Sequence, residues 1–234
     1  MFGMKEVRED VVKNALGRRI FLKGNTMKIL FYGDSITDMA RSREMDGNAF
    51  GYGVGYVNSV ASTLKYANPE KYEIINRGIS GNRVVDLYAR IKADVWNHNP
   101  DLISILIGVN DVWHEIYGEN GVELKRFERV YRMLIEDTKE HLPNVKFILC
   151  EPFVLKGAAT EEKYEQFLEV KKYAAVVKKL AEEYGIPFVA LQDKFDEAAA
   201  KHGAVHYLYD GVHPDIAGAK LIAEEWLKVF HKGM

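Results

Sequence analysis

Two short stretches, far apart in the chain, hold residue types suited to acyl transfer. Ser35 follows Gly33 and Asp34 in KILFYGDSITD, residues 28–38, and His213 follows Asp210 by three positions in YDGVHPD. A free serine hydroxyl is a weak nucleophile and needs an adjacent base. An imidazole, with an unperturbed pKa near ~6.5, suits that task. In a turn leading into a helix, the three-residue offset lets the Asp210 carboxylate reach the near ring nitrogen of His213 and hold its tautomer. Two more candidates are donors. Gly81, in RGISGN, can present a backbone N–H with no side chain in the way, and Asn110, in GVND, can add a side-chain amide. With the Ser35 N–H these would form an oxyanion hole. Asp34 and Asn82, beside the nucleophile and the glycine, are candidates for contact with substrate.

Each cluster also has a purely structural reading. Gly-Asp-Ser and Asp210-Gly211 make ordinary turns, Asn110-Asp111 can cap a helix, and His213-Pro214 can start one. Those readings do not predict four polar, glycine-bearing clusters after successive strands, and the elements between the clusters suggest that order. Five near-continuous apolar runs recur: Lys28–Tyr32, Tyr72–Asn76, Leu102–Ile107, Val145–Cys150 and Pro187–Leu191. Their length and composition fit strands buried on both faces of a parallel sheet. Helical spacing links Val84, Leu87, Tyr88, Ile91 and Val95. It also links Leu124, Phe127, Val130, Tyr131, Leu134 and Ile135, and the series Ala219, Ile222, Ala223, Trp226, Val229 and Phe230. Pro214 is expected in the first turn of the last helix. Alternating strands and helices predict an α/β fold with three α/β/α layers and a five-stranded, mainly parallel sheet. Ligands bind such sheets at the carboxyl ends of the strands, where the four clusters fall. Residues 27–234 read as one domain. Residues 1–26 read as an N-terminal arm that packs on the domain or on a neighbouring subunit.

The bulk numbers exclude several other classes. The chain has 234 residues, 47% hydrophobic and 28% charged, with a net charge of −2 and no basic stripe, so nothing points to nucleic acid or an anionic membrane. One cysteine, Cys150, cannot form an internal disulfide; it lies in an apolar run and is expected to be buried and inert. The charged N-terminus does not resemble a secretory signal and no run of 18 apolar residues exists, so the expected location is the cytoplasm. His98, His114, His141, His202, His206 and His231 show no metal-ligand spacing, and no metal or cofactor is called for. Gly51, Gly53 and Gly55 do not follow a strand with dinucleotide-binding spacing. Trp113, two residues past Asp111, either stacks on a sugar ring from a loop or packs the next helix. Trp96 and Trp226 fall on apolar helix faces. Asp38 and Arg41 either order the loop after Ser35 or touch substrate, and ordering fits better.

The sequence resembles the SGNH hydrolases, the GDSL esterase/lipase superfamily. The blocks are Gly33-Asp34-Ser35-Ile36, Gly81, Gly108-Val109-Asn110-Asp111 and Asp210-Gly211-Val212-His213. The resemblance covers roughly residues 20–230 and implies a flavodoxin-like fold. It also implies Ser35 as nucleophile, Gly81 and Asn110 as oxyanion donors, His213 as base and Asp210 as its acidic partner. The G-x-S-x-G elbow of other α/β hydrolases is absent. GDSITD, RGISGNRVVDL and IGVNDVW are further similar to small bacterial acetylxylan esterases. That likeness implies removal of O-acetyl groups from xylo-oligosaccharides by a homo-oligomer. The stretch FGYGVGY, residues 50–56, only approximates the corresponding loop of that group. Thioesterases and lysophospholipases share the four blocks. A non-catalytic carbohydrate-binding protein on the same scaffold would be expected to have lost one of them.

Overall fold

In the computed structural model, which describes residues 11–13, 19–21 and 26–233, the five apolar runs form one parallel sheet. Its strands are β3 (Met27–Gly33), β4 (Tyr72–Gly78), β5 (Leu102–Leu106), β6 (Lys146–Cys150) and β7 (Phe188–Val189). Before them, β1 (Val11–Lys13) and β2 (Arg19–Phe21) pair antiparallel as a separate two-stranded sheet. The rest of the expected arm lies outside the described residues. The helices are α1 (Ser35–Asp38), α2 (Ala49–Tyr52), α3 (Tyr56–Ala67), α4 (Val84–Asp94), α5 (Val109–Gly118), α6 (Leu124–His141), α7 (Tyr164–Phe167), α8 (Val170–Tyr184), α9 (Gln192–His202) and α10 (Ile216–Gly233).

The sheet order is β4-β3-β5-β6-β7, and every pairing is parallel. The chain steps one way from β3 to β4 and the other way through β5, β6 and β7. Right-handed crossovers therefore put helices on both faces, with the reversal between β3 and β5. On one side α3 packs against α10; on the other α4 packs against α6 and α6 against α8. Covered twice over, Ile29, Leu30, Phe31 and Tyr32 are completely buried, which is why that run is continuous rather than alternating. Trp226 of α10 is buried against Phe31 and donates its indole N–H to Ser104 Oγ at 2.9 Å. Trp96 falls instead in a short turn, half-buried, stacked on His141.

Strand and helix ends move by one or two residues from expectation, and two of these differences have a visible cause. The fifth strand shrinks from Pro187–Leu191 to Phe188–Val189, because the N–H groups of Leu191 and Gln192 donate to the Glu151 carboxylate instead of continuing the ladder. The last helix begins at Ile216 rather than Pro214. Pro214 bridges Leu208, and the Asp215 carboxylate accepts the Ile216 N–H. Among the described residues no helix is long and apolar enough to cross a membrane.

Candidate active site

The reversal of chain direction between β3 and β5 opens a crevice at the carboxyl ends of those strands. At that end β3 runs directly into α1. A Cβ on Gly33 would lie 2.4 Å from Thr37 Oγ1 and 2.5 Å from the Leu106 carbonyl, so only glycine allows the turn. Asp34 then caps α1, its Oδ1 accepting the Ile36 N–H at 3.0 Å. Ser35, the first helical residue, is left facing into the crevice.

The partner of Ser35 comes from the far end of the chain. Ser35 Oγ lies 2.8 Å from His213 Nε2, and His213 Nδ1 lies 2.6 Å from Asp210 Oδ2. The other Asp210 oxygen accepts the N–H groups of Val212 and His213 at 2.9 and 2.8 Å, so one carboxylate shapes its own turn and orients the ring. Burial pushes the Asp210 carboxyl up, but the hydrogen bonds from His213 and Val212 outweigh it and hold Asp210 below the usual range. Burial lowers the His213 imidazole, while the bond to Asp210 and the charges of Asp210 and Asp34 more than offset this and raise it. A raised imidazole pKa makes His213 a stronger base for the Ser35 proton.

The donor side is built from the turns after β4 and β5. Gly81 has φ +81°, a conformation that favours glycine, and no heavy atom lies within 4 Å of where its Cβ would be. Asn110, in the first turn of α5, spends one amide hydrogen on the Asn82 carbonyl at 3.1 Å, leaving the other for a ligand. Ser35, Gly81, Asn110 and His213 all line one cavity of about 750 Å³. Its other walls are Met39, Ala40 and Val54, the rings of Trp113, Tyr117 and Tyr209, and the polar group of Ser80, His114 and Asn120.

Asp34 and Asn82 do not line the cavity. Asp34 is fully buried beneath Ser35, and half-buried Asn82 holds Asn110 through its carbonyl and Arg90 through its side chain at 2.7 Å. Both support the site from behind the cavity wall. Trp113 is on α5 and not in a loop. It packs edge-on against Phe167 with ring centroids 5.3 Å apart, and it also lines the cavity 6.0 Å from the His213 ring. Tyr117 and Tyr209 were missed by sequence reasoning. Tyr117 follows Trp113 by four residues on the same helix face, a signal readable once α5 is recognised. Tyr209 directly precedes Asp210 and stacks on His213, 16° from parallel.

Under this floor lie two buried carboxyls. Asp111 accepts the Val84 N–H through both oxygens, at 3.0 and 3.3 Å, and so caps α4. Burial pushes Asp111 up to about 8 and Asp34 up to about 7. Cys150 is buried in β6 and its thiol is likewise raised, to about 12.

Residues 31–221 match the GDSL-like lipase/acylhydrolase family. The chain is 39% identical over 212 residues to an acetylxylan esterase of Geobacillus stearothermophilus, covering 88% of this chain and 94% of that one. It is 26% identical over 219 residues to the isoamyl acetate-hydrolyzing esterase of Saccharomyces cerevisiae, covering 86% and 85%. The crystal structure of the Geobacillus esterase superposes with a TM-score of 0.78 at 36% identity, covering 91% of this chain and 96% of that one. Crystal structures of its catalytic mutants, in which a serine, an aspartate or a histidine is replaced by alanine, superpose similarly. The chain belongs to the GDSL-like lipase/acylhydrolase family.

Proposed function

We propose that this protein is a serine esterase that removes O-acetyl groups from carbohydrate, with acetylated xylo-oligosaccharides as its substrate class. The observation that carries the reading is the unbroken line from Asp210 through His213 to Ser35, ending in a cavity floored by Gly81 and Asn110. The named activities of the two relatives, one on acetylxylan and one on isoamyl acetate, support an acetyl ester. A cavity of about 750 Å³ leaves room beyond an acetyl group for sugar rings, and its aromatic walls offer faces on which they can stack.

The mechanism is two acyl transfers. Ser35 Oγ attacks the acetyl carbonyl while His213 Nε2 takes its proton. The oxyanion is held by the Ser35 N–H, the Gly81 N–H and the Asn110 amide. His213 returns the proton to the departing sugar oxygen as the first C–O bond breaks, leaving acetyl-Ser35. Water, deprotonated by the same histidine, attacks that ester; acetate leaves and Ser35 is restored. Asp210 keeps the Nδ1 proton in place and stabilises the imidazolium.

The test is acetate release from acetylated xylo-oligosaccharides against esters of increasing acyl length, in wild type and Ser35→Ala. Fast release from the sugar, lost in the variant, supports the reading. The apolar wall of Met39 and Val54 favours one second reading, a hydrolase of longer acyl chains, and activity confined to those chains would establish it instead. We also propose a cytoplasmic homo-oligomer. The lone cysteine is compatible with a reducing compartment, and Phe50 and Val54 are exposed apolar side chains that a second copy could cover. A monomer mass in light scattering would overturn the assembly.

A further inference from the structure

We infer that Asp38 is a positioning residue of the oxyanion hole, fixing the Gly81 N–H relative to Ser35. The inference rests on the reading of Ser35 as nucleophile and Gly81 as donor. Gly81 has no side chain to anchor it, and no heavy atom lies within 4 Å of where its Cβ would be. Its turn is held by hydrogen bonds. Ile79 N–H donates to the Gly33 carbonyl at 3.1 Å and Asn82 N–H to the Ile79 carbonyl at 3.2 Å, which ties down the ends of the turn. Between them stands Ser80, exposed on the cavity wall. Both its N–H, at 3.0 Å, and its hydroxyl, at 3.2 Å, donate to one oxygen, Asp38 Oδ2. Fixing Ser80 at two atoms restrains the planar Ser80–Gly81 peptide, whose N–H is the oxyanion donor.

The carboxylate reaches Ser80 because α1 and the end of β4 nearly touch. A Cβ on Gly78 would lie 2.2 Å from the Asp38 nitrogen, and buried Asn76 donates to the Thr37 carbonyl at 2.7 Å. Ser35 and Asp38 are the first and last residues of the same single helical turn. Nucleophile and donor are thus referenced to one rigid piece of backbone. Arg43 donates to the same Asp38 oxygen at 2.8 Å and balances its charge from the exposed side. Hydrogen bonds to an ionised carboxylate are about twice as strong as neutral ones, which suits a clamp on an otherwise open turn.

The experiment compares Asp38→Ala, Asp38→Asn, Ser80→Ala and Arg43→Ala on 4-nitrophenyl acetate across pH, with Ser35→Ala and Asn110→Ala in the same series. Loss of a working oxyanion donor lowers turnover by about 10²–10³, so Asp38→Ala is expected to lose up to about 10² in kcat, with KM within about threefold. Its acid limb should stay where His213 sets it. Asp38→Asn keeps an acceptor for Ser80 and should recover most of the loss. Ser80→Ala, which removes only the hydroxyl bond, should lose several-fold, and Arg43→Ala less than about twofold if the clamp and not the charge balance matters. Unchanged kcat in Asp38→Ala overturns the inference, as does an equal fall in Arg43→Ala, which would make Asp38 only a loop anchor. A shifted acid limb also overturns it. Should Asp38→Ala fail to fold, Asp38→Asn and Ser80→Ala decide: full activity in both overturns the clamp. Ser35→Ala and Asn110→Ala test the underlying site separately, and their retained activity would overturn that reading instead.

Discussion

The floor and the rim of the cavity are built in opposite ways. On the floor, Ser35, His213, Asp210 and Asn110 each make side-chain hydrogen bonds, and each sits just past a strand end or in a tight turn. The carboxyls beneath, Asp34 and Asp111, are fully buried and accept backbone N–H groups. The rim is exposed. Val54 is 71% exposed, Tyr209 51% and Tyr117 49%, and the chain leaves α1 through Met39 and Ala40 in left-handed conformations. Tyr117 is steadied by Lys163 over its ring, 4.4 Å from the centroid. On the proposed reading, the floor of polar groups carries the reaction and the rim of solvent-facing side chains selects the molecule that reaches it. The two should therefore separate in kinetics.

The largest effects belong to the floor. Ser35→Ala should lower kcat by at least about 10⁴, and retained hydrolysis of 4-nitrophenyl acetate would break the comparison at its base. Asp210→Asn should lower kcat by about 10⁴ because the ring loses its tautomer and its stabilising charge. It should also move the acid limb of kcat/KM. Activity needs neutral His213, whose raised pKa puts the wild-type limb above the free imidazole value. Without the Asp210 carboxylate, burial lowers His213 and the limb should shift to lower pH. A limb that stays put would detach His213 from the pH profile. Asn110→Ala should lose about 10²–10³ in kcat with little change in KM.

The rim should respond in the other parameter. Tyr117→Ala is expected to raise KM several-fold for acetylated xylo-oligosaccharides and to leave kcat on 4-nitrophenyl acetate within about twofold, a modest loss of contact area. A fall in that kcat as large as in Asn110→Ala would erase the distinction between floor and rim.

The same division explains what was legible in the sequence. The floor was readable because its parts are local: an apolar run that stops at Gly33, an aspartate three residues before a histidine, a glycine and an asparagine after strands. The parallel sheet was readable because continuous apolar runs have few other uses. Strand order could not be read from any run alone, and the shortened β7 depends on Glu151, forty residues from Leu191. Asp34 reads as a substrate contact because sequence proximity to Ser35 cannot tell a side chain that faces the cavity from one that is buried beneath it. Tyr209 escapes the sequence because its place against His213 comes from where a turn folds back, which leaves no periodic mark.

The smallest change in turnover, and the sharpest test of the buried layer, is Asp34→Asn. Asparagine keeps an oxygen to accept the Ile36 N–H, so α1 and Ser35 should stay in place. Asp34 Oδ2 has no hydrogen-bond partner and no access to water, so the charged form is the unfavourable one there. The folded pKa of about 7 exceeds the unfolded value, so the folded state keeps a proton that the unfolded chain has already lost. The stability this carries is full below the unfolded pKa and falls as pH rises through the folded one. Wild type should therefore lose stability between pH 5 and 8 by an amount of order 2 kcal/mol that the asparagine variant does not lose. Urea unfolding of both proteins at the two pH values measures it. Asp34 ionises only as pH rises through about 7, and its charge then helps raise His213, so the variant should also lower the His213 limb slightly. If Asp34 were instead an ionised, well-paired carboxylate, the sign would reverse: the variant would be the weaker protein at pH 8, and the floor would rest on a charge rather than on a buried neutral acid.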